Sequence, residues 1–232
     1  MKTIGIIGGM SWESSATYYR LINQRVRDAK GPTASARIVL WSFDFSEIEA
    51  LQMAGDWDGL TAMMTDAARR LEGAGAELLL IATNTMHKMA GAVQAAVGVP
   101  LLHIARPAAQ AARAAGFGTV GLLGTRFVME QDFYRDALSG EGLKVVVPGE
   151  GHRAQVHRII YEELVAGKVR DESRALYRAA IADLVAQGAE AVVLGCTEIM
   201  LLVGADDSAV PLLDTTTLHA EAAADFAIAS GG

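Results

Sequence analysis

The chain has 232 residues, one cysteine (Cys196), 51% hydrophobic and 20% charged residues, and a formal net charge of −7. An intrachain disulfide and a cysteine-based zinc cage are excluded, disorder is disfavoured, and the acidic balance argues against a nucleic-acid partner. Twenty-four glycines with only 6% aromatics favour layered α/β packing over a β-sandwich. The apolar run at 3–8 is too short for a signal segment or a membrane span, so a cytoplasmic protein with no membrane contact is expected.

In chain order, short apolar runs alternate with longer amphipathic stretches. Strands are predicted over 3–8, 37–41, 77–81, 100–103, 119–123, 143–147, 190–194 and 210–212. Helices are predicted over 14–27, 56–72, 106–115, 128–138, 154–165, 171–187 and 215–229. Strands rich in Val, Leu and Ile, each followed by a helix, build βαβ units and a mainly parallel sheet. The Ser-Gly-Gly tail at 230–232 is expected to fray.

The chain also repeats itself. A shift of 116 lays the apolar run at 3–8 on that at 119–124, and Tyr18 on Tyr134. A shift of 113 lays Leu71 on Leu184, Gly75-Ala76-Glu77 on Gly188-Ala189-Glu190, and Thr83 on Cys196. The two registers differ by three residues, a small deletion in a loop. The simplest reading is a duplication with two pseudo-symmetric α/β halves, 1–105 plus about 212–232, and 106–211. Ligands of open parallel sheets sit beyond the carboxyl ends of the strands. If the halves face each other, Thr83 and Cys196 approach one cleft from opposite sides.

Cys196 follows an apolar run and precedes Thr197-Glu198-Ile199-Met200, which could open a helix. A thiol there would feel the positive helix end and lose its proton more easily; the plain alternative is a small buried hydrophobe. Thr83-Asn84-Thr85 and Cys196-Thr197-Glu198 both offer small polar side chains and backbone N–H groups after a strand, fit either to cap a helix or to cradle an anion. Gly8-Gly9 suggests a backbone pressed against a ligand or another turn; Ser14 and Ser15 are candidate caps, and Trp12 is a lid or a cover for an apolar face. Neither a dinucleotide fingerprint nor a P-loop occurs, and no histidine pair has metal spacing. Asp214 and His219 follow Cys196 in hydrolase-triad order, but Gly195-Cys196-Thr197-Glu198 lacks the second glycine of a nucleophile elbow. Lys168 and Arg170, in an apparent turn after Tyr161-Glu162-Glu163-Leu164, reach either solvent or an anionic substrate.

At Ile6-Ile7-Gly8-Gly9-Met10, Thr83-Asn84-Thr85-Met86-His87, Leu123-Gly124-Thr125 and Gly195-Cys196-Thr197-Glu198 the sequence resembles the cofactor-independent aspartate/glutamate racemases. Gly9-Met10-Ser11-Trp12-Glu13-Ser14, Ala54-Gly55-Asp56-Trp57 and Ile160-Tyr161-Glu162-Glu163-Leu164 resemble its L-aspartate/glutamate-specific branch. The resemblance implies two similar α/β domains with the active site between them, often in a homodimer, acting on a small amino-acid or dicarboxylate substrate without pyridoxal phosphate or metal. It implies two cysteines flanking the substrate Cα. The second maps to Cys196 and the first to Thr83, a departure from the common pattern that the L-specific branch shares. By the same mapping Asn84, Thr85, Thr125 and Thr197 hold the α-carboxylate or amino group, and Met10 joins the substrate-binding set. The distal basic residue maps near Lys168 or Arg170. An arginine some members carry after the second strand has no counterpart in Ser42-Phe43-Asp44-Phe45, where Gln52 contributes instead.

A threonine hydroxyl is too weakly acidic to serve as a base near neutral pH, yet it can donate a proton to a carbanion. Cys196 is therefore expected to be the base and Thr83 the opposite-face acid, its alkoxide quenched by water or through His87. Racemisation has an equilibrium constant of unity, so a poor base on one face slows net inversion in both directions. Fast α-proton exchange on the L-enantiomer with slow inversion is expected. A one-cysteine lyase or isomerase of the arylmalonate decarboxylase or maleate isomerase type, a cysteine hydrolase and a non-catalytic small-anion binding protein are the alternatives.

Overall fold

The computed structural model describes residues 1–229; the tail expected to fray lies outside them. The chain divides into two units, Met1–Ile104 with the residues from His219 onward, and Ala105–Leu218. Each is a parallel α/β unit.

In the first unit, β1 (Thr3–Gly8) leads through α1 (Trp12–Lys30) to β2 (Arg37–Ser42), then α2 (Phe45–Ala54), α3 (Trp57–Gly73) and β3 (Leu78–Ile81). A 3₁₀ turn (Thr85–Met89) and α4 (Ala90–Ala95) complete this stretch. The strand order is β2-β1-β3, all parallel. Alternation along the strands builds two cores. Ile7, Leu79 and Ile81 pack on Leu60, Met64, Ala67 and Leu71, while Ile4, Ile6, Leu78 and Leu80 pack on Tyr18, Ile22, Val26 and the alanines of the C-terminal helix.

The second unit runs α5 (Ala105–Ala114), β4 (Thr119–Gly124), α6 (Arg126–Glu130), α7 (Asp132–Gly140), β5 (Lys144–Val146) and α8 (Glu150–Ile159). A π-helical turn (Ile160–Leu164) then precedes α9 (Asp171–Ala186), β6 (Ala191–Gly195) and β7 (Leu212–Asp214). Its order is β5-β4-β6-β7, again parallel. Helix α10 (Thr215–Ala229) begins here and passes into the first unit at His219. The sequence reading returns the chain to the first half from about 212; pairing of β7 with β6 keeps Leu212–Asp214 in the second unit.

The duplication is visible in detail. Thr3 N–H donates to Glu77 Oε2 at 2.9 Å, and Thr119 N–H to Glu190 Oε2 at 2.8 Å. Gly75 and Gly188 both hold positive φ, 90° and 93°. Tyr18 and Tyr134 are both fully buried.

Three expected elements need correction. Residues 100–103 form only a bridge, Leu101 to Leu79; Pro100 has no N–H to donate to a ladder. The helix expected over 128–138 is two helices, parted at Gln131, whose backbone is extended. The helix expected over 154–165 ends in the π-helical turn. Helix α2 lies outside the predicted helices, as does α4, although Asp44-Phe45-Ser46-Glu47 carries an N-terminal signature and Asp44 Oδ1 accepts from Ser46 N–H at 2.9 Å.

Candidate active site

The predicted site residues fall at strand ends or on the helices and turns that follow. In the first unit, β1 and β3 pair through Ile7–Ile81, so the turns after Gly8 and Ala82 leave the sheet side by side. Gly9 has φ +85°, and a Cβ there would lie 2.2 Å from Phe43 O. The backbone it approaches is therefore another turn. Ser11 caps α1 by accepting from Ser14 N–H, and Ser15 Oγ accepts from Gly9 N–H at 2.8 Å, so neither Ser14 nor Ser15 is the cap. Trp12 is exposed. Met10 is buried beside Met86 and Ile48, and Gln52 Nε2, brought in by α2, donates to Met86 Sδ at 3.3 Å. Asn84 and Thr85 are buried and Thr83 is half-buried.

His87 is 2% exposed. Its Nε2 accepts from Ile104 N–H at 3.1 Å, so the ring proton is on Nδ1 and donates to Thr83 O at 2.8 Å. Burial, then the neighbouring His103 and His219, hold its pKa well below the usual histidine value. Both nitrogens are committed to main chain. A proton relay through His87 is therefore not available.

In the second unit Gly124 pairs with Gly195, so Thr125 and Cys196 leave neighbouring strands at one level. A Cβ on Gly124 would lie 2.7 Å from Gly195 O, so only glycine lets these strand ends approach. Thr125 caps α6, accepting from Val128 N–H at 3.4 Å. Cys196 is 7% exposed, and its Sγ–H donates to Glu198 Oε2 at 3.1 Å. The same oxygen accepts from Thr197 Oγ1–H at 2.8 Å.

The expected helix after Cys196 is only a 3₁₀ turn, Ile199–Leu201. Burial, and then the Glu198 carboxylate, raise the thiol pKa well above its ordinary value. The lowering expected from a helix dipole is absent: the turn is 3₁₀, and a buried carboxylate faces the sulfur. The place of Glu198 beside the thiol is not legible in the sequence, because its contact with Sγ depends on the folding of the turn.

Lys168 is exposed, its backbone N–H donating to Glu163 O at 2.9 Å. Arg170 Nε lies 3.9 Å from Glu163 Oε2, with 56% of its side chain exposed. The π-helical turn carries Glu163 inward, where Ser173 Oγ–H donates to it at 2.6 Å and, with the nearby arginines, holds its pKa below the usual carboxylate value. Asp214 accepts from Thr216 and Thr217, whereas His219 Nε2–H donates to Leu102 O at 2.9 Å and its Nδ1 accepts from Tyr18 O–H at 2.8 Å. Neither has the partner a hydrolase triad requires. Among the described residues no cluster of His, Cys, Asp and Glu has a metal-holding arrangement, and no helix is long and apolar enough to cross a membrane.

The sequence profile of the Asp/Glu/Hydantoin racemase family matches residues 7–223. A Bacillus subtilis (strain 168) protein, the broad specificity amino-acid racemase RacX, is 23% identical over 166 residues, 72% of this chain and 71% of that one. The glutamate racemase of Roseiflexus sp. (strain RS-1) is 30% identical over 154 residues, 63% of this chain and 53% of that one. A crystal structure of a Yersinia pestis protein classed with the Asp/Glu racemases superposes with a TM-score of 0.92 at 51% identity, covering 98% of this chain and all of that one (100%). An aspartate racemase homologue from Pyrococcus horikoshii OT3 superposes with a TM-score of 0.85 at 34% identity, with 98% and 100% coverage.

Proposed function

The chain belongs to the Asp/Glu/hydantoin racemase family and is an isomerase of the racemase type, and we propose that it acts on L-aspartate and L-glutamate with Cys196 as base and Thr83 as opposite-face acid. The observation that carries this reading is the Cys196 thiol at the end of β6, donating to a buried carboxylate at 3.1 Å. A thiol with a raised pKa is a poor base until its proton has somewhere to go, and Glu198 supplies that acceptor.

In the proposed cycle the thiol proton passes to Glu198, and the thiolate removes the α-proton of the L-substrate. Asn84, Thr85, Thr125 and Thr197, with their turn N–H groups, hold the substrate's charged groups. Met10 and Gln52 line the side-chain end, and Lys168 or Arg170 meets the distal carboxylate. The Thr83 hydroxyl returns a proton to the other face. Its alkoxide takes a proton from water, and the proton on Glu198 returns to solvent, so the balance closes. Return from Cys196 gives exchange with retention; return from Thr83 gives inversion. Thr83 in alkoxide form is scarce near neutral pH, so the D-enantiomer reacts slowly, and at an equilibrium constant of unity net inversion is slow from both sides. No pyridoxal phosphate or metal enters this cycle, and a cytoplasmic homodimer is the form proposed.

The test is incubation in D₂O with L-Asp, D-Asp, L-Glu and D-Glu separately. α-Proton loss is followed by NMR and enantiomer ratio by chiral chromatography. Rapid exchange of an L-substrate with slower inversion, both lost in Cys196→Ser, is expected. Equally rapid processing of both enantiomers would refute the weak-acid role of Thr83. Absence of exchange on all four would refute the substrate assignment. The single cysteine favours one second reading, a one-cysteine lyase, which release of CO₂ from a malonate would identify.

A further inference from the structure

His87 closes the motif that begins with Thr83-Asn84-Thr85, yet it is buried with both ring nitrogens on main-chain groups. The Ile104 N–H can only donate, so it fixes the ring as the neutral Nδ1–H tautomer, and that N–H can only donate to Thr83 O. Two residues earlier in the chain, Leu102 O accepts from His219 Nε2–H, and Tyr18 O–H closes the other side of His219. The His87 ring packs edge-on to His103 and His219, with centroids 4.6 and 5.9 Å apart. The segment 102–104 is thus gripped by two imidazoles, and one of them also grips the Thr83 peptide.

The repeat sharpens this. The shift of 113 that lays Thr83 on Cys196 lays His87 on Met200, whose side chain has no nitrogen to hydrogen-bond. Among the described residues, the repeat places no imidazole at the matching position on the cysteine side.

We propose that His87 is a positioning residue for Thr83. Its neutral Nδ1–H tautomer, set by Ile104, holds the peptide from which the acid hydroxyl projects. The chemistry explains why only this side needs it. A hydroxyl is a much weaker acid than a thiol and delivers its proton to carbon only at close, well-aligned approach. Small displacement of the Thr83 peptide therefore lowers inversion while leaving exchange at Cys196 intact. This inference rests on the racemase roles proposed above.

Two side chains separate the two bonds. In His87→Asn the amide N–H replaces Nδ1–H and the bond from Ile104 is lost. In His87→Gln the side-chain oxygen replaces Nε2 and the bond to Thr83 is lost. With L-Asp in D₂O, and rates normalised to folded protein, His87→Gln is expected to lower the ratio of inversion to exchange by about tenfold or more. His87→Asn is expected to hold that ratio within about threefold of wild type. Equal loss of both rates in His87→Gln, or an unchanged ratio, would overturn the proposal and leave His87 as a core residue. A readout independent of turnover is the ¹H–¹⁵N correlation of the His87 ring in the wild-type protein, which also serves if the Gln variant fails to fold. The neutral Nδ1–H form at neutral pH is expected; an Nε2–H form overturns the clamp even if the enzyme racemises. Conversely, an Nδ1–H ring in a protein that exchanges none of the four substrates overturns the racemase roles.

Discussion

At the scale of the residue, Cys196 and Glu198 pose opposing effects on one thiol. The carboxylate raises the thiol pKa, after burial the next cause, yet it is also the group that accepts the Sγ proton. Glu198→Gln separates them. If acceptance dominates, exchange on L-Asp at neutral pH falls by about 10²-fold and recovers as pH rises, because hydroxide replaces the lost acceptor. Unchanged or faster exchange would mean that the carboxylate merely suppresses the thiolate. Thr83→Cys tests the other face. A second thiol is a competent acid and base, so inversion should rise by about 10-fold or more relative to exchange, read by chiral chromatography of L-Asp and D-Asp reactions. The candidate pair was legible in the sequence because strand-end positions follow from apolar runs and the repeat pairs Thr83 with Cys196. The state of the thiol was not. It depends on burial and on a carboxylate two residues away folding back onto sulfur, which no spacing rule encodes.

At the scale of the element, the strands follow from composition and the exceptions follow from local chemistry. β1 spans the predicted residues because Ile4, Ile6 and Ile7 can be buried on both faces of a parallel sheet. Within it, Gly5 is there for space: a Cβ would meet Leu79 Cδ2 at 2.7 Å and Ala76 Cβ at 2.8 Å. Its repeat partner Gly121 would meet Leu184 Cδ1 at 2.8 Å. Gly5→Ala should cost about 1–3 kcal/mol by overpacking, measured as a lower urea midpoint with an unchanged slope. Gly73→Ala, where the added carbon meets nothing within 4 Å in the last turn of α3, should be neutral or slightly stabilising and serves as control. The break between α6 and α7 and the π-helical turn at 160–164 were not legible, since helical periodicity continues through both and tertiary packing decides where the ladder slips.

At the scale of the whole molecule, each unit carries its own core, and the first holds His87 and His219 buried. Burial pushes the His219 pKa down to about 3, and His87 is lowered well below its ordinary value. The groups facing them are each other, His103 and Tyr18, none of them acidic near neutral pH. The unfolded chain binds protons at these imidazoles below about pH 6.5 while the folded chain does not, so stability falls with falling pH. The loss is up to about 1.4 kcal/mol per pH unit for each histidine, from about pH 6.5 down to the folded pKa. Urea midpoints between about pH 7 and pH 5 should show this slope, and His219→Gln should flatten it. An unaltered slope in the variant would assign acid sensitivity to other groups.

The sequence alone determined the layered parallel architecture, the duplication, the strand ends that carry polar residues and, through those residues, the racemase resemblance. Apolar periodicity, glycine spacing and repeat register are properties of the chain in order, and they survive without coordinates. Tertiary structure alone decided that β7 stays with the second unit, that Gly9 packs against Phe43, that Cys196 donates to Glu198, and that both His87 ring nitrogens bond to main chain. Each of these rests on groups distant in sequence or on the path of a short turn. Hydrogen-bond direction, burial and proton affinity are set by what lies across a few ångströms of space.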